Sequence, residues 1–594
     1  MAYNNYNNSF KSNESGWTET KERFINPYNF VRLGKGVERT EISDGTLTGK
    51  IRCKLITKTP LAIPDAEKVE ISKEHKEYPF FRVGNTPMIP GSQIRGMIRS
   101  AYETLSNSCF SVINTPILSS RSSAIRKPGI VQYYDGKFRL FEANARKYKN
   151  KNDFEQAKEN IGEYDTTRVW YGQEDIKKRK YNVKNYIFEC YADEVECVNL
   201  EQAIVDYNYN FSIYFKNKKN DEAITSAFNT YIFKNDIVID LKRKDGLLYP
   251  VFYYTMPDEN GNALVYLMPS QIGRTVYRNK TEDLLGSYKS CSHTFGKELC
   301  KACELFGIIK ENEKYAVASK LRFSDATLSS DYKPYKNGKK IILKELASPK
   351  ISSTEFYSQK PGECRYWTYD YMIKEYTGKG KNVKEDIEKC IVELNGRKYF
   401  LHNPNLSERD FVSNKGNNRN SSMELADKGN EFVFDVYFEN INEKQLKELV
   451  WCLAIGDNKA DSKQQYKLGH GKPLGLGSVK VLVDSVETRT FDTENFCYDV
   501  EKRNVRDFFD EIPFDDKSDY FKDFMIITNI ETANKKISYP IADDCKGTTN
   551  SKAGHQWFKA NKEADGRGVK WNLRYTLPRI DSNDISLPAY KYKK

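Results

Sequence analysis

Hydrophobic and charged positions alternate over residues 46–57. Leu47, Ile51, Cys53 and Leu55 fall on one side, and Lys50, Arg52 and Lys54 on the other. A period of two buries one side and wets the other, so the stretch reads as a strand. Its wet side could meet phosphates or simply stand in water. The rhythm changes at 88–105, where Ile94, Met97, Ile98, Ala101 and Leu105 form an apolar stripe at helical spacing. Ser92 is read as the N-cap of that helix, and Arg95 and Arg99 lie one turn apart on another face. Strands are predicted at 211–216, 250–255 and 264–268, the last two joined by the turn 257–262. Residues 315–328 read as a further strand, with Leu321 and Phe323 on one face and Lys320 and Arg322 on the other. The clearest pattern runs from 432 to 483. Phe432, Phe434, Val436 and Phe438 alternate; Asn442 can cap a helix striped by Leu446, Leu449, Val450 and Leu453; Gly456 stands at its C-terminal cap; and a strand resumes at 479–483. Strand, helix, loop and strand make half of a ferredoxin-like unit, and 46–105 shows the strand-then-helix start of another.

The loop inside that last unit is rich in glycine. Gly469, Gly471, Gly475 and Gly477 fall within ten residues, with His470 and Lys472 between them. Glycine admits positive φ and the close approach of another backbone or a phosphate. Successive N–H groups in such turns favour an anion. The alternative is a tight helix-to-strand connection with no ligand. The loop ends in a strand and lacks the spacing of the common nucleotide loops, so an anion bound there is read as a polymer backbone. The predicted helix start at Ser92 and Gln93 is a second natural anion site.

Composition narrows the classes. The 594 residues carry 94 basic and 82 acidic side chains, a net charge of +12, which permits a basic groove without demonstrating one. Forty tyrosines against six tryptophans imply many amphipathic rings at surfaces. No apolar run approaches the roughly 18 residues of a membrane span, and the polar stretch 1–17 is not a signal peptide. Twelve cysteines without secretory features point to reduced thiols and a cytoplasmic protein. Four of the candidate metal ligands lie close together: Cys291, His293, Cys300 and Cys303. A tetrahedral structural zinc takes such a set, and C-x-x-C presents two thiolates from one turn; buried or redox cysteines are the alternative. Two long stretches are irregular. The first holds the basic clusters 146–151 and 177–181, interleaved with tyrosine, a composition that suits single-stranded nucleic acid or a solvated surface. In 486–594, Trp557 and Phe558 are the one evident anchor.

The segments Ile89-Pro90-Gly91-Ser92-Gln93-Ile94-Arg95-Gly96, Cys300-Lys301-Ala302-Cys303-Glu304-Leu305-Phe306-Gly307 and Leu321-Arg322-Phe323-Ser324-Asp325-Ala326, followed by the glycine loop and a last strand, resemble the RAMP superfamily of CRISPR systems. The resemblance spans about residues 45–485 and is nearest to large single-protein members found with type III loci. It implies an α+β fold with a ferredoxin-like, RRM-like βαββαβ core. The chain is then read as an arm (1–44), a first half of the core (45–110), an insertion (111–210), core strands with the zinc segment (211–330), a second insertion (331–430), a second half (431–485) and a C-terminal extension (486–594). It also implies binding of CRISPR RNA through its backbone, with other effector subunits and target RNA as partners and no membrane. The RNA-facing set is Ser92, Gln93, Arg95, Arg99, Lys320, Arg322, Gly469, Gly471, Lys472, Gly475 and Gly477. Some members cut RNA. Asp65 falls where an aspartate would act with magnesium, although Ile63-Pro64-Asp65 replaces the usual glycine-rich turn; His470 is the candidate for cleavage without metal. RNA binding without catalysis is the first reading, an endoribonuclease the second, and a zinc-stapled protein scaffold the third.

Overall fold

The computed structural model describes residues 17–43, 45–72, 74–112, 119–121, 126–148, 151–161, 167–171, 185–216, 239, 248–258, 260–268, 274–279, 281–293, 298–309, 316–346, 351, 353–364, 366–377, 384–390, 392–492, 494–543, 550–564 and 575–592. The chain divides into two compact units. One comprises Met1–Asn114, Glu282–Lys360 and Glu393–Lys594; the other comprises Thr115–Thr281 and Pro361–Val392.

Ten elements of the first unit frame the site: β1 (Leu47–Thr57), β2 (Thr86–Ile89), α1 (Gly91–Leu105), β3 (Leu321–Phe323), β4 (Ala326–Leu328), β5 (Arg397–Phe400), β6 (Glu431–Ile441), α2 (Glu443–Ala454), β7 (Ser478–Asp492) and α3 (Asp519–Thr528). The main sheet runs β7–β1–β6–β4–β2 with β3 also on β6, and these neighbours are antiparallel. The alternation expected in β1 and β6 fixes the register. Leu55 faces Phe432, Cys53 faces Phe434 and Ile51 faces Val436, all buried with α1, α2 and α3 in one core. A slip of one residue would expose that whole row.

α2 begins as expected. Asn442 accepts from the Gln445 N–H at 2.8 Å and Gln445 returns a bond to the Asn442 N–H, a capping box. At its end Ile455 and Gly456 take positive φ, and buried Lys480 donates to the carbonyls of Ala454 (2.7 Å) and Asp457 (2.5 Å). α1 differs from expectation. Its N-cap is Pro90, not Ser92, and the first N–H, Gly91, is held by the Asp325 carboxylate at 2.7 Å. Gly91 is required because a Cβ there would lie 2.5 Å from the Phe323 carbonyl oxygen.

The termini belong to the same unit. Trp17–Ile25 pairs with Ser586–Tyr592, and Tyr28–Val31 pairs with β5. Trp557 is buried beneath the terminal sheet, its indole N–H on the Pro588 carbonyl at 2.8 Å. The second unit holds a six-stranded antiparallel sheet and a three-stranded one. Residues 211–216, expected as a strand, close the helix Leu200–Lys216. Their apolar run cannot by itself distinguish a strand from a buried helix end. Tyr249–Pro257 and Ala263–Met268 form the expected hairpin, but it joins Lys127–Tyr134 in this unit rather than the main sheet. Cluster 177–181 lies outside the described residues.

Candidate nucleic-acid interface

A cleft of about 520 Å³ opens in the first unit between the start of α1, β5 with its continuation to His402, the segment 465–472 and the end of α3. Ser92 and Gln93 line it from α1; Gly469, His470 and Lys472 line it from the glycine loop. The two anion sites read from the sequence thus meet. Part of the loop's backbone is already engaged. The N–H groups of His470, Leu474, Gly475 and Gly477 already bond to Ala62, Gly471, Lys472 and Pro60. The glycines serve backbone proximity: a Cβ on Gly469 would stand 2.3 Å from the Ala62 carbonyl oxygen, and one on Gly477 1.9 Å from that of Leu468.

Positive charge comes from side chains instead. Lys398, Lys467 and Lys472 all line the cleft, and among the described residues none has a carboxylate within ion-pair distance. Lys467 donates to the carbonyls of Gly475 (2.9 Å) and Leu476 (3.1 Å) at the loop. Burial and the charge of Lys472 push its pKa down to about 7. Lys398 sits in an aromatic box, 3.8 Å from the Tyr28 ring centre and near Tyr357 and Phe400, and donates to the Tyr357 hydroxyl at 3.1 Å; burial lowers it to about 8. Lys472 is lowered by burial alone. Three partly desolvated ammonium groups without a counter-charge form a standing demand for an anion.

Two histidines take different roles. His402 is buried, one ring nitrogen against the Gln465 carbonyl (3.1 Å) and the other against the Ser478 hydroxyl (2.9 Å). The carbonyl can only accept, so Nε2 carries the proton and Nδ1 accepts from Ser478. The ring is held neutral, its pKa pushed well down by burial. His470 lines the cleft, and among the described residues its ring makes no hydrogen bond. Burial and Lys472 lower its pKa, so it too is neutral near pH 7.

Comparison with known proteins adds a family likeness. The model described as "RAMP superfamily" matches residues 54–260. That stretch is similar to the RAMP superfamily. No curated protein matches it. A solved structure titled "Cryo-EM structure of the Type III-B Cmr-beta bound to cognate target RNA" is 10% identical, with 73% of this chain and 96% of that chain covered and a TM-score of 0.17.

Other residues singled out in the sequence lie elsewhere. Arg95 donates to the Phe306 carbonyl at 2.5 Å and lies over the Phe306 ring, as does Arg99. Arg99 is paired with Glu103 at 3.0 Å. Lys320 is paired with Glu304 at 3.0 Å; Arg322 is exposed over Tyr437 and pairs with Glu439 at 3.4 Å. Gly471, Gly475 and Gly477 shape the loop behind the cleft surface. Asp65 is buried beside the cleft residue Pro64, its carboxylate accepting from the Glu67 N–H at 3.2 Å and lying 3.6 Å from Lys68.

In the cysteine segment a further thiol joins three of the expected ligands. Cys109, Cys291, Cys300 and Cys303 are all buried, with their sulfurs within 4.8 Å of one another. Cys109 stands 3.5 Å from both Cys300 and Cys303. Tetrahedral zinc with bonds of about 2.3 Å separates its sulfurs by about 3.8 Å, so this donor set fits. Guanidinium groups face the cluster: Arg39 reaches Cys291 at 3.3 Å and Arg99 reaches Cys303 at 3.8 Å. The fourth thiol comes from just after α1, and the His293 side chain lies outside the described residues. Nothing in local spacing could reveal Cys109. Lys467 could have been found, two positions before the glycine run. Lys398 and His402 had no motif around them.

Proposed function

We propose that this protein binds RNA along its sugar–phosphate backbone in the cleft, as a subunit of a type III CRISPR effector. The observation that carries this is the set of three cleft lysines with no carboxylate partner among the described residues. Phosphates would supply the missing charge, and phosphate contacts fix position while leaving sequence to the bases. The family match supports the RNA reading, and the motifs around Gly91, Cys300 and Leu321 support the CRISPR context. The sheet order, with β1 and β6 central and antiparallel, supports a ferredoxin-like core, and a zinc ion on the four thiols would staple it. RNA co-purified with the protein from its host tests the proposal: repeat-derived guide ends are expected, and random cellular RNA or none would overturn the effector assignment.

A second reading rests on His470, which lines the cleft and whose ring nitrogens have no hydrogen-bond partner among the described residues. A neutral imidazole there could take a proton from a ribose 2′-hydroxyl, making the protein a metal-independent endoribonuclease. Asp65 has a weaker position, since its carboxylate is buried and engaged. His470→Ala abolishing cleavage while retaining binding would establish this reading; no cleavage by the intact protein would dismiss it.

A further inference from the structure

The cysteine cluster and the RNA cleft share two structural members. α1 lines the cleft along its first turns and leads at its far end into Cys109. β5 places Lys398 in the cleft and turns the neighbouring Arg397 the other way, since successive strand residues point to opposite sides. Arg397 is buried. Its guanidinium donates to the Ser108 carbonyl and, at 3.0 Å, to the Cys109 carbonyl; it pairs with Glu103 at 3.3 Å and lies 4.0 Å from the Phe110 ring centre. The other oxygen of Glu103 holds Arg99, which reaches Cys303. One carboxylate therefore joins an arginine facing the cluster to an arginine gripping the turn that carries its fourth thiol.

We infer that a metal held by Cys109, Cys291, Cys300 and Cys303 positions the cleft, with Arg397 transmitting the geometry of the Cys109 turn to Lys398. A bound divalent ion fixes the Cys109 backbone by fixing its sulfur. The planar fork of Arg397 holds two successive carbonyls of that turn on Nη2 and Glu103 on Nη1, and so takes its place from them. β5 follows, and with it the depth of the Lys398 ammonium in the cleft. Four thiolates around one divalent ion leave a net negative centre, which strengthens the N–H···S contacts of Arg39 and Arg99. Arg397 is a positioning residue and touches no RNA. The inference rests on the cleft being the RNA site.

The test uses the full chain and a labelled single-stranded oligoribonucleotide. Cobalt(II) substitution should give a tetrathiolate spectrum that is lost in Cys109→Ser and kept in His293→Ala. Removing the metal with a chelator under reducing conditions, Arg397→Gln and Lys398→Ala should each weaken RNA binding by a similar factor, about tenfold, and pairs of these changes should weaken it no further, the signature of one shared pathway. Arg397→Lys, which keeps charge but loses the fork, should behave as Arg397→Gln. Arg397→Gln should retain the cobalt spectrum. Should the Arg397 variants fail to fold, metal removal from the wild type and from Lys398→Ala decides alone. Losses that multiply, or RNA affinity unchanged after metal is gone, would overturn the inference. Unchanged affinity in Lys467→Ala and Lys472→Ala would instead overturn the cleft as the RNA site.

Discussion

The outer face of the main sheet and the cleft each carry a row of basic side chains, and their surroundings differ. On the sheet, Lys50 pairs with Glu487 (3.6 Å), Arg52 with Asp435 (3.0 Å) and Lys54 with Glu431 (3.3 Å). Each cation of β1 meets an acid on a neighbouring strand. Such surface pairs contribute between about 0 and 1 kcal/mol each and leave little net field. In the cleft Lys467 meets carbonyls and Lys398 aromatic rings, and none of Lys398, Lys467 and Lys472 meets an acid among the described residues. Counting basic residues would rank the two faces equal, three against three. Counting their partners ranks the cleft first, because only unpaired, partly desolvated cations gain substantially from a phosphate.

The largest effect should fall on the loop that supports the cleft. Gly477 has φ of +73° and no room for a Cβ. Gly477→Ala should lower stability by roughly 2 kcal/mol or more in thermal or urea unfolding. Arg52→Ala on the sheet face should change it by less than about 1 kcal/mol and leave RNA affinity untouched. A loss of RNA binding in Arg52→Ala would break the contrast.

The pH response comes next, and its two halves have opposite signs. Lys467 and Lys398 titrate in the folded protein near 7 and 8, below the value of about 10.4 for an unfolded lysine. Between these limits the unfolded chain binds more protons, so their contribution makes the free protein more stable as pH rises from 7 to 10. RNA needs the charged amines, so its affinity should fall as pH rises through 7 to 9. Titrations of melting temperature and RNA affinity on one sample would show both slopes, and an affinity that is flat over this window would count against these lysines. Smaller still is the expected effect of Lys54→Ala: no change in RNA affinity and, at high salt, no resolvable change in stability.

Much of the frame was legible because period and turn chemistry are local. The alternation at Phe432–Phe438, the Asn442 cap and the stripe of α2 need only neighbours in sequence. The glycine loop was legible as a place of close approach, but its backbone neighbours Ala62 and Leu468 were not. Ser92 looked like a cap because the carboxylate that holds the first N–H, Asp325, lies over 200 residues away. Cys109 joined the cysteine cluster for the same reason unseen. Arg95, Arg99 and Lys320 looked free because their partners at Phe306, Glu103 and Glu304 are set by the tertiary fold. Residues 211–216 were misread where an apolar run is compatible with either period.

The most direct test is the salt dependence of single-stranded RNA binding by the wild-type chain and by the Lys398→Ala/Lys467→Ala/Lys472→Ala variant. If the three lysines each engage one phosphate, the slope of log affinity against log salt should shrink by about 2 units, at roughly 0.7 per contact. Affinity at low salt should fall with it, while the folded content of the variant stays intact. An unchanged slope in a folded variant would contradict the cleft as the RNA site.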